Sequence, residues 1–442
     1  MDAHRGTLHA MIDAMHWNGA LAPGHERPNG ALAIGGIDAQ ALTERFGTPL
    51  LVIDYATLDA AIETFCSAAT PLGIEVAYAG KALLLVGLAR HLRDAGLHLD
   101  VASLGELLTA ERAGMPPERI TFHGCGKTAD ELDAILSGRA GRLVADNRDE
   151  VSRIIERVPN GAARCEILLR VNTGIDAHTH DFIRTSGDKT KFGFDPRELP
   201  TTVRKLVDAG LRFAGLHSHI GSQIYEADAF AANMSRLMEV AHDVSHSGVP
   251  VNRVIVGGGF GVQMAPDQEA GIDVATTLTT IAKTAAERAG TLGIATPAIG
   301  VEPGRAIIAN AGTSLYRVMA VKRQFGRPYV IIDGSLTDNP RPALYGAYHH
   351  PVMVRERSSE LQETVICGRS CENDRMGAAR LPVDIRIGDL LAMSSTGAYT
   401  YSMASNYNRF AKPAVVAIEN GAVRQLARRE TLEEVLRLDC DA

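Results

Sequence analysis

The sequence predicts an α/β protein that contains a (β/α)8 barrel followed by a mainly β C-terminal domain. Three observations lead to this fold class: strand-like runs alternate with helix-like runs, eight such units follow one another, and the pattern changes after about residue 312. Eight successive units favour a closed barrel over a doubly wound open sheet, which is the competing arrangement. A chain of 442 residues is long enough for two or three domains with a sizeable core.

The barrel strands are predicted from short apolar runs. The first four units repeat every 21 to 24 residues, and later units carry insertions. Helical patterns lie between the runs, for example over 104–113 and 148–157. The eight predicted strands cover residues 76–79, 99–102, 120–123, 142–145, 166–171, 213–217, 253–256 and 298–301.

The C-terminal part of the sequence has a different pattern of apolar and turn-forming residues. Short strand-like runs at 329–333, 363–367, 390–393 and 414–418 are separated by Gly, Pro, Asn and Asp turns, which is typical of a mainly β domain. We therefore predict three parts: an N-terminal segment over 1–46 that packs with the β domain, the barrel over 47–312, and the β domain over 313–442.

Composition narrows the class of protein. Hydrophobic residues make up 45% and charged residues 22%, as in soluble globular enzymes. A net charge of -7 gives no reason to expect nucleic acid or an anionic membrane as a partner. No apolar run approaches the roughly 20 residues of a membrane span, and the N-terminus lacks the apolar core of a signal peptide. The six cysteines are mostly far apart in the sequence, which predicts reduced thiols and a cytoplasmic location.

Lys81 is the first candidate functional residue. It lies where the first strand pattern changes into a helix pattern, and active sites of such barrels lie at the carboxyl ends of the strands. A partly buried amine there has a lowered pKa and can act as a nucleophile, for example in a Schiff base. A strand-end lysine that extends into solvent is the alternative interpretation.

Other strand ends carry polar groups and glycines. Gly257, Gly258 and Gly259 follow the seventh strand, and such a triplet exposes backbone N–H groups to an anion. Arg305 follows the eighth strand and could add a guanidinium to the same anion, although a surface salt bridge is the alternative. A strand-end lysine combined with a phosphate cradle predicts pyridoxal 5'-phosphate as the cofactor.

A set of motifs then makes the chain resemble a known family. They occur in this order: 78–82 (Tyr-Ala-Gly-Lys-Ala), 100–103, 217–223 (His-Ser-His-Ile-Gly-Ser-Gln), 257–260, 302–305 (Glu-Pro-Gly-Arg), 341–349, 371–372 and 397–399. In this order the chain resembles the diaminopimelate decarboxylases, which belong to the alanine-racemase-like class of pyridoxal-phosphate enzymes. The barrel motifs are shared with ornithine and arginine decarboxylases. The stretches 341–349, 176–180 and 191–194 are more specific to diaminopimelate decarboxylases.

The resemblance implies a role for each cofactor residue. Lys81 would form the Schiff base, His219 would stack on the cofactor ring, and Glu302 would pair with the pyridine nitrogen. A protonated ring is the electron sink that such decarboxylations need. The phosphate would be held by Ser222, Gly257, Gly258, Gly259, Gly304 and Arg305. Tyr399 would reach both the cofactor and the substrate.

The resemblance also implies the reaction, which is decarboxylation of meso-2,6-diaminopimelate to L-lysine and CO2. Arg305, Arg341 and Tyr345 would bind the distal carboxylate, since the fork of an arginine matches a carboxylate. Glu372 would bind the distal ammonium group. Cys371 would donate a proton from the neighbouring subunit, which implies a homodimer with composite active sites.

Some positions depart from the family pattern. They are Leu104, Cys125 and Gly126 near barrel strand ends, and Asn373 after the Cys371-Glu372 pair. These departures leave the cofactor residues intact and bear on the substrate. A related amino acid such as ornithine, lysine or arginine, or a substrate of a biosynthetic cluster, is therefore the alternative.

Two further alternatives belong to different classes. His217 and His219 resemble the metal pair of a metal-dependent barrel hydrolase, with Lys81 as a bridging ligand. That interpretation leaves the glycine triplet and the 302–305 motif without a role, and we predict no metal. A pyridoxal-phosphate carrier without catalysis would keep Lys81 and the phosphate site, but such proteins usually lack a β domain with Cys371 and Glu372.

Overall fold

The computed structural model of the chain describes residues 21–158, 163–175, 190–265 and 268–440. The chain divides into two compact units. We call the unit formed by residues 62–262 and 271–306 the barrel unit, and the unit formed by residues 1–61, 263–270 and 307–442 the β unit. The motif at 176–180 lies outside the described residues.

The strands in chain order are β1 His25–Glu26, β2 Ala33–Ile34, β3 Ile37–Asp38, β4 Leu50–Asp54, β5 Glu75–Ala79, β6 His98–Val101, β7 Ile120–Phe122, β8 Arg142–Ala145, β9 Glu166–Arg170, β10 Phe213–His217, β11 Arg253–Ile255, β12 Ala298–Val301, β13 Gly312–Gln324, β14 Arg327–Ile332, β15 Pro351–Met353, β16 Leu361–Cys367, β17 Arg375–Pro382, β18 Leu390–Met393, β19 Ala414–Glu419 and β20 Ala422–Ala427. The α-helices are α1 Ala39–Phe46, α2 Tyr55–Ala69, α3 Val86–Asp94, α4 Leu104–Arg112, α5 Ala129–Ala134, α6 Arg148–Arg157, α7 Leu199–Asp208, α8 Ala227–His246, α9 Val274–Leu292, α10 Arg305–Ile308, α11 Arg341–Tyr345 and α12 Leu432–Leu436.

Strands β5 to β12 form a closed parallel barrel in the order β10-β11-β12-β5-β6-β7-β8-β9. The predicted barrel is therefore confirmed, and the open doubly wound sheet is excluded. The strands are short and largely buried, as expected where helices cover the outside and side chains fill the inside. Val144, Leu168, Ala214 and Ile255 form one buried apolar cluster from four adjacent strands.

Side-chain caps fix where several barrel helices begin. Ser103 caps α4 by accepting a hydrogen bond from the backbone N–H of Glu106, and Asn147 caps α6 in the same way through Glu150. Thr128 and Glu131 form a capping box at the start of α5. Because each cap ends the loop after a strand at a defined residue, the strand-end loops have fixed lengths.

The β unit contains a sheet whose main path is β17-β16-β14-β13-β4-β19-β20, with β15 and β18 joined to it through β13. Strand β4 pairs with β13 and with β19. Buried Leu32 and Ile34 pack in the same core cluster as Leu315 and Val416. A mainly β unit after the barrel agrees with the prediction. Within the described ranges, the structure has no helix that is long and apolar enough to cross a membrane.

Candidate active site

A cavity of about 200 Å³ lies at the carboxyl ends of the barrel strands. The polar side chains around it come from the ends of six different strands, as is usual for enzymes with this fold. They include Lys81, Asp100, His123, Arg170, His219 and Glu302. The strand ends singled out in the sequence therefore meet in one place.

Lys81 follows β5 in a single 3-10 turn, Gly80–Ala82. The Tyr78 hydroxyl fixes this turn by donating a hydrogen bond to the carbonyl of Leu83, at 2.9 Å. A Cβ atom at Gly80 would lie 2.7 Å from the carbonyl oxygen of Asp100, so only glycine lets the turn approach β6 this closely. The Lys81 side chain is exposed, and the expectation of partial burial was wrong, but its position on the cavity wall agrees with the sequence prediction.

Glu302 follows β12 and lies between two histidines. Its Oε2 accepts a hydrogen bond from Nε2 of His217, at 2.9 Å. Its Oε1 lies 3.3 Å from Nε2 of His123, which also lies 3.6 Å from Oδ1 of Asp100. The two imidazole rings are 4.9 Å apart at an angle of 61°. We call Asp100, His123, His217 and Glu302 the upper cluster.

The two histidines of this cluster have opposite pKa shifts. Burial alone would lower the pKa of His123, but Glu302 and Asp100 outweigh it and raise this pKa to about 9. Burial dominates at His217 and lowers its pKa to about 4, despite the attraction of Glu302. Burial would raise the pKa of Glu302, but the hydrogen bond from His217 and the charge of His123 outweigh it and hold this pKa well below its usual range. The cluster therefore holds one charged and one neutral histidine around a carboxylate.

Asp100 is the fourth member of the upper cluster. Its burial and the nearby charge of Glu302 raise its pKa to about 7, while His123 acts in the opposite direction. Two carboxyl groups thus flank one imidazolium, and they do not ionise with equal ease. A carboxyl group with its pKa near neutrality is common at catalytic sites.

His219 and the glycine triplet meet across the same cavity. The backbone N–H of Gly258 donates a hydrogen bond to Nδ1 of His219, at 3.2 Å. A Cβ atom at Gly257 would lie 2.5 Å from the carbonyl of Ser218, and one at Gly259 would lie 2.5 Å from the carbonyl of Gly221. Burial, together with the positive charges of Lys81 and Arg170, holds the pKa of His219 well below its usual value. His219 is therefore a neutral ring beside an all-glycine backbone.

Arg305 and Ser222 form the second polar group expected for a phosphate. Arg305 starts the short helix α10, and its side chain is buried. Its Nε and Nη2 lie 3.3 Å and 3.1 Å from the Oγ of Ser222. A buried guanidinium, a hydroxyl group and a glycine loop form a donor set that suits a phosphate dianion.

These residues fit pyridoxal 5'-phosphate. The phosphate donors lie on the loops after β10, β11 and β12, and an ionised carboxylate for a pyridinium nitrogen follows β12 at Glu302. Lys81 contributes the amine, and His219 contributes a flat neutral ring on the wall of the same cavity. The roles assigned to these residues stay a prediction, but the chemistry of the donor set agrees with them.

Several cavity residues were not among the predicted site residues. Asp100, His123 and Arg170 each lie within or at the end of a predicted strand near its carboxyl end, so the strand-end rule that identified Lys81 could have found them. Arg170 stacks over the ring of Phe192, with its guanidinium carbon 4.4 Å from the ring centroid. Phe192 also lines the cavity and belongs to the family-specific stretch 191–194.

Two of the departures from the family pattern lie in loops held by ordinary structural contacts. The carbonyl of Cys125 accepts a hydrogen bond from Asn147, and Lys127 is buried with its Nζ 2.7 Å from Glu150. The backbone N–H of Leu104 donates to Glu131. Gly126 and Asn373 are exposed. These contacts give Cys125 and Leu104 structural surroundings that do not depend on a particular substrate.

The predicted substrate residues all lie in the β unit, apart from Arg305. Arg341 is buried at the start of α11, and its guanidinium lies over the rings of Tyr345 and Tyr399, at 5.5 Å and 5.8 Å from the ring centroids. Tyr399 has a φ of +59°, a conformation that non-glycine residues adopt at some cost. The structure therefore brings Arg341, Tyr345 and Tyr399 together as one cationic and aromatic group.

Cys371 and Glu372 lie in an exposed loop between β16 and β17. The backbone N–H of Cys371 donates to Oδ1 of Asn408, at 3.0 Å. The hydroxyl of Tyr407 donates to Oε1 of Glu372, at 2.5 Å. Both side chains are therefore presented to solvent on an anchored loop.

The structure gives little support to a His217–His219 metal pair. Among the described residues, the group with metal-ligand spacing consists of His123, His217 and Glu302. His219 instead accepts the N–H of Gly258. A larger cavity of about 460 Å³ in the β unit, bordered by the fully exposed Phe325, contains none of the predicted site residues.

Comparison with known proteins shows the family of the chain. The sequence model of the family "Pyridoxal-dependent decarboxylase, pyridoxal binding domain" matches residues 57–309, more than half of the chain. The chain is 38% identical over 423 residues to the diaminopimelate decarboxylase of Bacillus subtilis, covering 94% of this chain and 96% of that protein. It is 38% identical over 427 residues to the enzyme of that name from Corynebacterium efficiens, covering 93% and 92%.

Solved structures show the same likeness. A diaminopimelate decarboxylase from M. jannaschii in complex with L-lysine has a TM-score of 0.87 at 28% identity, covering 95% of this chain and 98% of that one. One from Helicobacter pylori, also with L-lysine, has a TM-score of 0.83 at 28% identity, covering 91% and 99%. A lysine/ornithine decarboxylase from Vibrio vulnificus, at 22% identity and a TM-score of 0.75, shows the fold alone.

The closed barrel, the strand-end lysine and the matched family define a pyridoxal-phosphate-dependent amino-acid decarboxylase with a β domain. Within that class, the identity extends over nearly the whole length of both chains. The chain belongs to the diaminopimelate decarboxylase family. This assignment favours the decarboxylase over the metal-dependent hydrolase.

Proposed function

We propose that this protein decarboxylates meso-2,6-diaminopimelate to L-lysine and CO2 with pyridoxal 5'-phosphate as its cofactor. The observation that carries the proposal is the convergence of Lys81, His219 and Glu302 on one cavity at the carboxyl ends of the barrel strands. The whole-length similarity to diaminopimelate decarboxylases gives the substrate.

In this proposal the barrel unit binds the cofactor. Lys81 would hold it covalently, His219 would cover one face of the ring, and Glu302 would keep the ring nitrogen protonated. The bound cofactor supplies the electron sink that accepts the electron pair released when CO2 leaves. The phosphate would be bound by Ser222, Gly257, Gly258, Gly259, Gly304 and Arg305.

The β unit would recognise the distal end of the substrate, which carries one carboxylate and one ammonium group. Arg341 and Tyr345, with Arg305 from the barrel, would bind the carboxylate. Glu372 would bind the ammonium group, and Tyr399 would contact both the cofactor and the substrate. The buried guanidinium of Arg341 between two aromatic rings supports this role, because such a cation is held in one orientation for a bidentate contact.

We further propose that the enzyme is a homodimer and that Cys371 donates a proton to the reacting carbon in the site of the partner subunit. The exposure of Cys371 and Glu372 in the single chain supports this, since residues that serve a second subunit must lie at the surface. A mixture of Lys81→Ala and Cys371→Ala subunits should then regain about a quarter of wild-type activity on random exchange, because half the dimers have one intact site. No recovery after confirmed exchange would contradict the shared site.

We also propose a cytoplasmic location. All six cysteines are free, including the exposed Cys371 and Cys440, which fits a reducing compartment. Cell fractionation followed by immunoblotting would test it, and recovery of the protein outside the cytosolic fraction would contradict it.

The substrate is tested by CO2 release from a panel of meso-diaminopimelate, lysine, ornithine and arginine. The purified protein should convert meso-diaminopimelate to lysine and CO2 in equal amounts. Lysine lacks the distal carboxylate and should be a poor substrate. Comparable rates on lysine and meso-diaminopimelate would contradict the proposed distal contacts and would favour a decarboxylase of a related amino acid.

A further inference from the structure

We propose that His123 is a positioning residue for the cofactor: it is the cation that keeps Glu302 ionised, while His217 is a neutral hydrogen-bond donor to the same carboxylate. The inference rests on the proposed function, because Glu302 matters here as the partner of the cofactor's ring nitrogen. It concerns a residue that neither the sequence motifs nor the resemblance assigned to the site.

The surroundings of His217 require it to be neutral. An ionised carboxylate can only accept a hydrogen bond, so the 2.9 Å contact makes Nε2 of His217 the donor to Glu302. The other ring nitrogen, Nδ1, is buried and has no hydrogen-bond partner among the residues that the structure describes. A protonated His217 would bury an N–H group and a positive charge without an acceptor, which raises the free energy of the folded state. An unprotonated Nδ1 at that place raises it less.

The surroundings of His123 favour a charge. Its Nε2 lies 3.3 Å from an oxygen of Glu302 and 3.6 Å from an oxygen of Asp100. These are ion-pair distances without hydrogen-bond geometry, and they place one imidazole ring against two carboxyl groups. Both carboxyl groups are buried, and little water is available to screen them. A cation at this position allows Glu302 to remain ionised, because it offsets the repulsion from Asp100.

Several other charged groups lie near His123. They are Lys81 after β5, Asp100 on β6, Glu106 on α4, Asp146 after β8, Arg170 on β9, His217 on β10 and Glu302 after β12. Arg170 also favours an ionised Glu302 through its positive charge. His123, however, is the cation that contacts Glu302 directly, with its Nε2 3.3 Å from Oε1.

The chain offers a matched control at the other end of the barrel. Nδ1 of His98 lies 3.6 Å from Oε1 of Glu75, which is also a histidine–carboxylate contact between barrel strands. That carboxylate is held by Arg142 and Arg253 as well, and neither His98 nor Glu75 lines the cofactor cavity. His98→Gln therefore removes a comparable contact without touching the site.

The test compares cofactor retention in holoenzyme variants. On dilution, followed through the visible absorption of the bound cofactor, His123→Gln should raise the dissociation constant of pyridoxal phosphate roughly tenfold to a hundredfold, the effect of losing a charge-assisted contact. His98→Gln should change it less than about twofold. His217→Gln keeps an N–H donor and should show a smaller loss than His123→Gln. His123→Ala should resemble His123→Gln, since glutamine restores a donor but not the charge.

A second readout separates charge from mere structural support. As the pH is lowered, the absorption spectrum of the bound cofactor should begin to change at a higher pH in His123→Gln than in the wild type, because Glu302 has lost its cation and takes up a proton more readily. An unchanged pH response, or a dissociation constant like that of His98→Gln, would overturn the inference. A wild-type protein that binds no pyridoxal phosphate would instead overturn the proposed function.

Discussion

Two carboxylates, the half-buried Glu75 and the buried Glu302, lie at opposite ends of the same barrel, and their partners differ. Glu75 opens β5 at the amino end, where Arg142 and Arg253 contact it; Nη2 of Arg142 is 2.9 Å and Nη1 of Arg253 is 3.2 Å from its Oε2. Glu302 follows β12 at the carboxyl end, where the contacts of its oxygens are to two histidines. We call Glu75, His98, Arg142 and Arg253 the lower cluster.

The difference shows that, in one fold, one end of the barrel can serve stability while the other end serves catalysis. Burial alone would raise the pKa of Glu75, but its hydrogen bonds with Arg142 and the positive charges around it lower this pKa. An arginine stays charged at any working pH, so the contacts of Glu75 with Arg142 and Arg253 persist across that range and hold strands together. Histidines and carboxyl groups can exchange protons near neutrality, so the upper cluster can respond to a ligand.

The largest effect is expected at the upper cluster. Glu302→Gln should lower kcat/KM for meso-diaminopimelate by roughly a factor of 10² to 10³, the usual cost of removing one preorganised electrostatic group from an active site. The loss should appear at constant amounts of folded protein, checked by circular dichroism. An activity within tenfold of the wild type would show that Glu302 does not serve the cofactor.

A smaller effect, of a different kind, is expected at the lower cluster. Glu75→Gln removes charge-assisted hydrogen bonds from Arg142 and leaves that guanidinium without its carboxylate, so it should lower the free energy of unfolding by about 2–3 kcal/mol. Turnover per folded molecule should stay within about twofold of the wild type. The measurement is denaturant unfolding beside steady-state kinetics, and a large kinetic defect in a stable Glu75→Gln protein would contradict the division between the two ends.

The pH dependence of folding stability should have opposite directions for the two clusters. His123 has a folded pKa of about 9, above its ordinary value of 6.5, so its ion pairs stabilise the fold fully below pH 6.5 and this contribution is lost as the pH rises through 9. Glu75 has a lowered pKa, so its contribution is present above the usual range of a glutamate and is lost as the pH falls below it.

Thermal unfolding across the pH range would therefore sharpen the comparison. His123→Gln should flatten the alkaline side of the stability profile, and Glu75→Gln should flatten the acid side. The alkaline contribution of His123 corresponds to about 3 kcal/mol at most, from the difference between its folded and ordinary pKa values. If both variants changed the same side of the profile, the assigned charge states would be wrong.

The distal-site prediction has the smallest expected effect. Arg341→Lys should lose roughly 1.5–3 kcal/mol of transition-state binding to meso-diaminopimelate, the size of a hydrogen bond to a charged group. It should not change the absorption of the bound cofactor. A variant with normal kcat/KM would place the distal carboxylate elsewhere.

Much of this architecture could be predicted from the sequence because its signals are local. Each barrel strand is a short apolar run, and polar residues or glycines follow the runs, so the eightfold pattern and Lys81 are both visible without a structure. The glycine triplet is visible for the same reason, since Gly257 and Gly259 have φ values of +75° and +100° that favour glycine.

The upper cluster could not be predicted in the same way, because it is formed by contacts across the barrel between residues far apart in the sequence. His123 and Glu302 are 179 positions apart in the sequence and 3.3 Å apart in space. The charge states of the two histidines are even harder to predict from the sequence. His123 and His217 contact the same carboxylate, and yet their pKa values are about 9 and about 4. The exposure of Lys81 likewise depends on its turn, which the strand pattern does not describe.

The most direct test of the account is to identify the lysine that holds the cofactor. Reduction of the holoenzyme with borohydride, followed by peptide mapping, should bleach the visible band and leave a pyridoxyl group on the peptide that contains Lys81. Lys127 is a suitable internal control, because it is buried and bonded to Glu150. Label on Lys81 alone is the predicted result. Label on another lysine, or none in a protein that still converts meso-diaminopimelate to lysine, would contradict the account.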